Sequence, residues 1–274
     1  MKDIIKIIKE IFSSRRVVLR IAKYNNDQAY RNNYLGDFWH FADPALQIGV
    51  MLFMFAMRMG DNYKNPHAHG IQGYVAWIAL GMITYFFMQS SMTKSANSIK
   101  RQLNLLAKMN FALSAIPLTE IITELRRYFV MLGMVMFLIL FTDVKPTIWW
   151  FQFIYYFIAM IIFLYALSLV TSTITVLVPD FYNAYVAILR VGMWLSGVII
   201  PIDGPAFPIV ISNILKINPL YYIIEGFRET LLENPQGFWE KPSDIIVFWG
   251  IVIILLIVGS HIHIRFRNRF IDFV

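Results

Sequence analysis

Residues 148–178, IWWFQFIYYFIAMIIFLYALSLVTSTITVLV, contain no charged side chain over 31 consecutive positions, and this stretch decides the fold class. As a helix rising about 1.5 Å per residue it would be about 46 Å long. The hydrocarbon core of a bilayer is only about 30 Å thick. The stretch therefore predicts a membrane-spanning helix that tilts steeply or rises beyond the bilayer.

The composition on either side of this stretch agrees with a membrane protein. Of 274 residues, 58% are hydrophobic and only 15% are charged, and the mean hydropathy is +0.59. Such a chain has too little polar surface for a soluble domain, so we predict an all-α integral membrane protein. The net charge of +7 would suggest nucleic acid in a soluble protein. Here it indicates cytoplasmic loops facing anionic lipid, and no nucleic-acid partner is expected.

Five further apolar stretches are long enough to cross a bilayer, which predicts six transmembrane helices. With residues 148–178 as the fourth span, the others lie at about 39–58, 74–92, 125–142, 183–202 and 245–263. Most lysines and arginines fall before the first span, between the second and third, and after the last. The positive-inside rule therefore predicts that both termini are cytoplasmic.

The segments around this six-span core (39–263) have patterns of their own, although residues 1–274 read as a single transmembrane domain. Residues 1–37 alternate isoleucines and basic side chains at helical spacing, which predicts an amphipathic helix lying on the inner membrane surface. Packing of the same helix on protein is the alternative. Residues 203–244 lie outside in this topology and contain two apolar runs broken by Asn218-Pro219, which predicts two short re-entrant external helices. Residues 264–274 form a cytoplasmic tail.

Sequence motifs of catalysis are missing from the chain. It has no phosphate-binding loop, no Gly-x-Gly-x-x-Gly, no His-Glu-x-x-His, no Gly-x-Ser-x-Gly and no cysteine. We therefore expect that the chain is not itself an enzyme and holds no cofactor. No metal site is expected either, because His67 and His69 have no third ligand nearby in the sequence.

Three motifs occur in order along the chain. They are Tyr30-Arg31-Asn32-Asn33-Tyr34-Leu35-Gly36-Asp37-Phe38-Trp39 with Asp43-Pro44; Asn104-Leu105-Leu106 with Lys108, Phe111 and Pro117-Leu118; and Asn218-Pro219-Leu220-Tyr221-Tyr222 with Glu225 and Arg228. Placed around six spans, they resemble the permease subunits of ABC transporters of the ABC-2 type, in the branch that exports polysaccharides and teichoic acids. The resemblance covers nearly the whole chain.

The resemblance implies a bacterial plasma-membrane exporter made of two copies of this chain and two ABC ATPase subunits, which bind the ATP and Mg. The implied substrate is an anionic polymer on a polyprenyl pyrophosphate lipid, and the branch points first to teichoic acid. An O-antigen or capsular polysaccharide exporter, or a small-molecule exporter, is the alternative within transport. A membrane enzyme acting on lipid-linked glycans and a scaffold without transport are rivals from other classes.

The resemblance and the residue types together single out two kinds of contact. Because the chain has no nucleotide site, the ATPase must dock on the cytoplasmic face, where the coupling segment is basic and partly apolar. That segment comprises Ser98, Ile99, Lys100, Arg101, Gln102, Leu103 and Asn104, which we expect to form a short helix in a loop. The alternative is a charged helix that only lies on the membrane surface.

Other candidates concern the substrate. Arg31 at the inner entrance and Arg190 within the fifth span are candidates for binding the pyrophosphate headgroup, because a cation inside a span is costly without a function. Arg190 has an equally weighted alternative, an ion pair with Glu120, Glu124 or Asp43. Tyr85, Phe86 and Phe87 lie too deep for an interfacial belt; they either stack on sugar units in a channel or pack in the core. The motif Asn218, Pro219, Tyr222, Glu225 and Arg228 marks the outer re-entrant segment.

Overall fold

The computed structural model describes residues 2–29, 34–58, 70–106, 112–141, 144, 146–202, 208–232, 237–267 and 270. In this part of the chain no strand occurs, which confirms the prediction of an all-α fold. The helices are α1 (Lys2–Ala29), α2 (Trp39–Arg58), α3 (Gly70–Leu106), α4 (Ile116–Ile139), α5 (Gln152–Leu177), α6 (Pro179–Leu195), α7 (Ile209–Lys216), α8 (Pro219–Leu231) and α9 (Pro242–Phe266).

Three helical segments are long and apolar enough to cross a membrane. They are Gly73–Gln102, Ile148–Leu177 and Pro242–Phe266, and they coincide with the second, fourth and sixth predicted spans. The helices α2, α4 and α6 coincide in sequence with the other three predicted spans. Because α4 carries four charged residues in its first half and α6 has only 17 residues, the count of six spans stays a prediction.

The uncharged stretch that opened the sequence divides into a short 3-10 turn (Ile148–Phe151) and α5. The helix ends at Leu177 because Val178 is extended, with φ −132° and ψ 94°, and Pro179 follows it. A residue before proline is pushed out of the helical region, and proline itself is favoured in the first turn of the next helix. The chain therefore changes direction directly into α6.

The core is built around α3, which packs against α4, α5, α6 and α8. It includes the fully buried Trp77, Tyr85 and Phe87. The helix continues for 37 residues to Leu106, so the expectation of a separate short helix in a loop from Ser98 onward is wrong. The physical reason is that no glycine or proline follows Gly81 within α3, so nothing interrupts its hydrogen-bond ladder.

The N-terminal helix α1 combines the two alternatives that the sequence left open, packing on protein and exposure to the membrane surface. Ile7, Val18 and Ala22 are buried against the rest of the protein, where α1 packs on α4 and α9. Ile5 and Phe12 are largely exposed. One stripe therefore docks on protein, and a second apolar stripe is left for the membrane surface that the sequence predicts.

Between α6 and α9 lie the two short helices that the sequence predicts, with the break at Ile217 and Asn218. The first, α7, is largely exposed, including Ile209 and Val210. The second, α8, packs against α3 and α5. Their insertion into the outer leaflet stays a prediction.

Candidate functional site

Arg228 on α8 is the most completely enclosed cation among the described residues, with no solvent exposure. Its Nε donates to the Trp77 carbonyl at 3.1 Å, Nη1 to the Gly197 carbonyl at 2.7 Å and Nη2 to the Val198 carbonyl at 2.7 Å. The guanidinium carbon also lies 3.3 Å from the centre of the Trp77 ring, and Nη1 pairs with Glu225 at 3.3 Å. Arg228 thus fastens α8 to α3 and to the turn after α6, and it is not available to substrate.

The other residues of the same motif also tie α8 to its neighbours. The Asn218 side chain caps α8 by accepting from the Leu220 amide at 3.0 Å. This is the expected role of asparagine before a Pro-initiated helix. The same side chain donates to Ser196 at 3.2 Å, and the Tyr222 hydroxyl lies 3.0 Å from that of Tyr155 on α5. The motif Asn218, Pro219, Tyr222, Glu225 and Arg228 is therefore brought together by the structure as a junction of helices.

The predicted coupling segment forms the last turns of α3 and is divided by burial. Ser98 and Ile99 are buried, whereas Lys100 and Arg101 are exposed and Gln102 is partly exposed. Leu103 and Asn104 continue the helix, but their side chains lie outside the described residues. A partner approaching this end of α3 would therefore meet the two cations first.

Two ion pairs join this end of α3 to the first half of α4. Arg101 binds Glu120, which also accepts from the Gln102 amide at 3.3 Å, and Lys94 binds Glu124. Both carboxylates are almost fully buried. Glu120 precedes the predicted third span; burial raises the pKa of its carboxyl, and the Arg101 guanidinium opposes that rise. Because breaking either pair would leave an almost fully buried carboxylate without its cation, these contacts hold α3 against α4.

A cleft of about 420 Å³ opens beside the coupling segment, which we call the coupling cleft. One wall is the end of α3 and the other is the start of α6 after the bend at Val178. Its lining residues are Asn97, Lys100, Arg101, Pro179, Asp180, Tyr182 and Asn183. The cleft is thus a mixed-charge concavity shared by two of the packed helices.

The side chain of Arg190 on α6 is exposed. None of the acids proposed as its partners is free for it: Glu120 binds Arg101, Glu124 binds Lys94 and Asp43 binds Arg127. Within the part of the chain that the structure describes, no acidic side chain lies within ion-pair distance of Arg190. The ion-pair alternative is therefore not supported within one copy of the chain. Arg31, the other headgroup candidate, lies outside the described residues, as do His67 and His69.

The three deep aromatics of α3 point in different directions. Tyr85 is buried and its hydroxyl donates to the Leu189 carbonyl of α6, so it joins two helices. Phe87 is buried against the Tyr128 ring, with centroids 4.7 Å apart. Phe86 is partly exposed. Core packing therefore accounts for Tyr85 and, in large part, for Phe87. Phe86 is the one of the three whose ring is partly accessible to a ligand.

A second cavity, of about 260 Å³, lies between α2, α3 and α4, and we call it the three-helix cavity. The sequence interpretation missed it, although Phe86, Gln89, Ser90 and Thr93 follow the i, i+3, i+4, i+7 spacing of one helix face. Its lining residues are Gln47, Phe86, Phe87, Gln89, Ser90, Thr93, Lys94, Glu124, Arg127 and Met131.

A polar cluster that fixes α1 was also missed. Glu10 accepts from Arg267 at 2.9 Å and from the Ser114 hydroxyl at 2.6 Å, so α1 is held at both the start of α4 and the end of α9. The Tyr165 hydroxyl of α5 donates to the Ser114 carbonyl at 3.0 Å. A single glutamate among many surface charges gave no sequence signal for this role.

Comparison with known proteins gives a consistent set of similarities. The family model described as "ABC-2 type transporter" matches residues 16–232. The chain is 20% identical over 270 residues to the O-antigen export system permease protein RfbA of Myxococcus xanthus, covering 98% of this chain and 99% of that protein. It is 24% identical over 246 residues to the O-antigen export system permease protein RfbA of Klebsiella pneumoniae, covering 89% of each chain.

Proposed function

Because this chain belongs to the ABC-2 type transporter family, as a permease subunit, we propose that it exports a lipid-linked polysaccharide of the O-antigen kind across the plasma membrane of a bacterium. The observation that carries the substrate class is the similarity, over nearly the full length, to permeases named for O-antigen export. Teichoic acid, the first expectation from the sequence, has less support from these relatives than the polysaccharide alternative.

In this proposal the ATPase docks at the coupling cleft, and its ATP-driven motion passes to the permease there. An ABC ATPase inserts an element between the exposed end of α3 and the start of α6, where Lys100, Arg101 and Asp180 offer both signs of charge. The chain itself has no phosphate-binding loop, so the partner supplies the ATP site and its Mg. Two ATPase subunits and two copies of this chain make the working assembly.

The long helix α3 transmits the motion. At about 1.5 Å per residue the 37 residues of α3 extend about 55 Å, and the part from Lys100 in the coupling cleft to Trp77, whose carbonyl binds Arg228, extends about 35 Å. The pairs of Arg101 with Glu120 and Lys94 with Glu124 carry α4 along with it. At the other end Arg228 attaches α8, so a tilt of α3 reaches the predicted external segment.

The headgroup contact in this proposal is Arg190. A cation exposed on a predicted span needs an anion or water, and the described residues of its own chain supply no acid. A pyrophosphate entering beside α6, or the facing surface of a second copy, would supply the negative charge. Arg31, at the predicted inner entrance, is the second candidate for the same headgroup.

The acids of α8 do not support the rival enzyme function. Glu225 is paired with Arg228 and Glu229 with Lys241, so both acids of the external helix are engaged in fixing its position. A general acid or base needs a carboxyl that reaches substrate.

The experiment is depletion of this permease in its native cell, followed by analysis of the lipid-linked glycans that accumulate inside. The proposal predicts polyprenyl pyrophosphate carrying a sugar-repeat polysaccharide, with the same polymer lost from the cell surface. Accumulation of a polyol-phosphate chain would instead favour teichoic acid as the substrate. Unchanged surface polymer with no accumulated intermediate would reject export of either. The control is the same depletion with a plasmid copy of the wild-type permease, which must restore surface polymer.

A further inference from the structure

The three-helix cavity includes the Lys94–Glu124 pair that joins α3 to α4, and further polar groups with no role described above converge in it. It lies between α2, α3 and α4 and has a volume of about 260 Å³, slightly below the range of about 300–1,000 Å³ that is usual for small-molecule pockets. By the predicted topology its α3 residues, from Phe86 to Lys94, lie between the middle and the inner end of the second span. A group entering from the cytoplasmic half of the protein would therefore reach it.

Both cations of its wall are paired with an acid, Lys94 with Glu124 in the wall and Arg127 with Asp43 beside it. Lys94 binds Glu124, whose second oxygen accepts from Ser90 at 2.7 Å. Arg127 donates to Asp43 at 2.8 Å and to Gln47 at 3.2 Å. A phosphate in this cavity would lie against the Glu124 carboxylate and would compete with it for Lys94. The wall therefore disfavours a free anion and suits an uncharged polar ligand.

Two polar side chains of the wall remain unused. Among the described residues, the side chains of Gln89 and Thr93 have no hydrogen-bond partner, and they lie one turn apart on the same face of α3. An amide both donates and accepts, and so does a hydroxyl. The hydroxyl groups of a sugar need this mixture of donors and acceptors along one edge.

An apolar surface complements these polar groups. Phe86 is partly exposed at the cavity and Met131 lines it from α4. A pyranose ring has hydroxyl groups at its edge and C–H bonds on its face, and the C–H face packs against an aromatic ring. The cavity thus presents a hydrogen-bonding edge and an apolar face to the same small volume.

We propose that the three-helix cavity is a binding site for one uncharged sugar unit of the transported glycan. This inference rests on the proposed export function. It adds a contact with a sugar unit to the contact with the pyrophosphate proposed above. Gln89 and Thr93 bind hydroxyl groups of the sugar, Phe86 packs on its ring, and the two ion pairs keep the wall neutral.

The test uses the full transporter in native membranes with ATP present. A photoreactive phenylalanine analogue is placed at Phe86 and, as a matched control, at Phe129, which is exposed on α4 and does not line the cavity. After illumination, permease carrying glycan is detected by periodate staining and mass spectrometry. The proposal expects glycan attached at position 86 and not at position 129. Capture of phospholipid alone at position 86, or equal capture of glycan at both positions, would overturn it.

A second variant separates recognition from packing. Gln89→Leu combined with Thr93→Val keeps the side-chain volume and removes the hydrogen-bonding groups. We expect the glycan captured at Phe86 to fall about tenfold, because two hydrogen bonds to the ligand are lost. The control is Thr123→Val on α4, whose hydroxyl donates to the Thr119 carbonyl of its own helix. Equal capture in the double variant and the wild type would contradict the assignment.

Surface polysaccharide measured in the same cells distinguishes failure of the proposed sugar site from failure of the proposed export function. Cells that display polymer while position 86 captures none refute the sugar site and leave the export function standing. Wild-type cells that export no polysaccharide through this permease, with no glycan captured at either position, refute the export function itself.

Discussion

Replacing Arg228 by lysine tests whether this buried cation holds the helices together. The guanidinium donates to the carbonyls of Trp77, Gly197 and Val198 from three different nitrogens, and it pairs with Glu225. A lysine keeps the charge but has a single ammonium, which cannot reach three separated carbonyls at once. Each hydrogen bond from a charged group contributes about 1.5–3 kcal/mol, so the loss of two predicts a destabilisation of about 3–6 kcal/mol.

The assay is thermal unfolding of the detergent-purified permease, followed by the monodisperse peak in size-exclusion chromatography. The expected loss corresponds to a fall in Tm on the order of 10 °C. Arg190→Lys is the matched control, because Arg190 is exposed and the same exchange there should change Tm little. If Arg228→Lys unfolds at the same temperature as the control, the reasoning about this junction is refuted.

Gly81→Ala tests the same junction through a residue of α3 that faces Arg228. A methyl group at position 81 would lie 2.9 Å from the guanidinium carbon of Arg228, which its carbonyl partners prevent from moving away. We therefore expect a comparable fall in Tm, and a Tm equal to that of the wild type would show that Arg228 is free to shift.

The remaining predictions concern docking, transport and topology. Lys100→Glu should weaken ATPase co-purification severalfold because it reverses a charge in the coupling cleft, whereas Arg265→Glu, an exposed cation outside that cleft, should not; equal ATPase recovery would exclude the cleft as the docking site. Arg190→Ala should reduce glycan export more than ATPase association, and an unchanged export rate would remove it as a headgroup residue. The chain has no native cysteine, so Ser243→Cys should be labelled by a membrane-impermeant thiol reagent from outside intact cells and Arg265→Cys only after permeabilisation; the opposite pattern would invert the topology.

Local sequence signals predicted the parts of the fold that depend on local chemistry. The uncharged stretch was predicted to end at Val178, within one residue of the end of α5, and Asn218-Pro219 was predicted to separate the two short helices because it acts on the backbone next to it. The continuation of α3 to Leu106 was not predicted, because charged residues were taken as evidence for a loop. In the structure two of those charges, Lys94 and Arg101, are paired with α4.

Long-range contacts account for what the sequence could not show at the candidate sites. Arg228 was recognised as part of a motif, but its enclosure depends on Trp77, which lies 151 residues away. The polar stripe of α3 could be recognised from its spacing, but Gln47 and Arg127, which close the three-helix cavity, come from two other helices. Periodicity identifies a face of one helix and does not identify its partners.

ATP-dependent uptake into inverted membrane vesicles is the most direct test of the export function. The vesicles contain this permease and the ATPase that co-purifies with it, and lipid-linked polysaccharide is supplied on the outside, which corresponds to the cytoplasm. The account predicts polysaccharide protected inside the vesicles only with ATP and only with both subunits present. Protection without ATP, or none with ATP and a correctly assembled complex, would contradict the claim that this chain is the permease of a polysaccharide exporter.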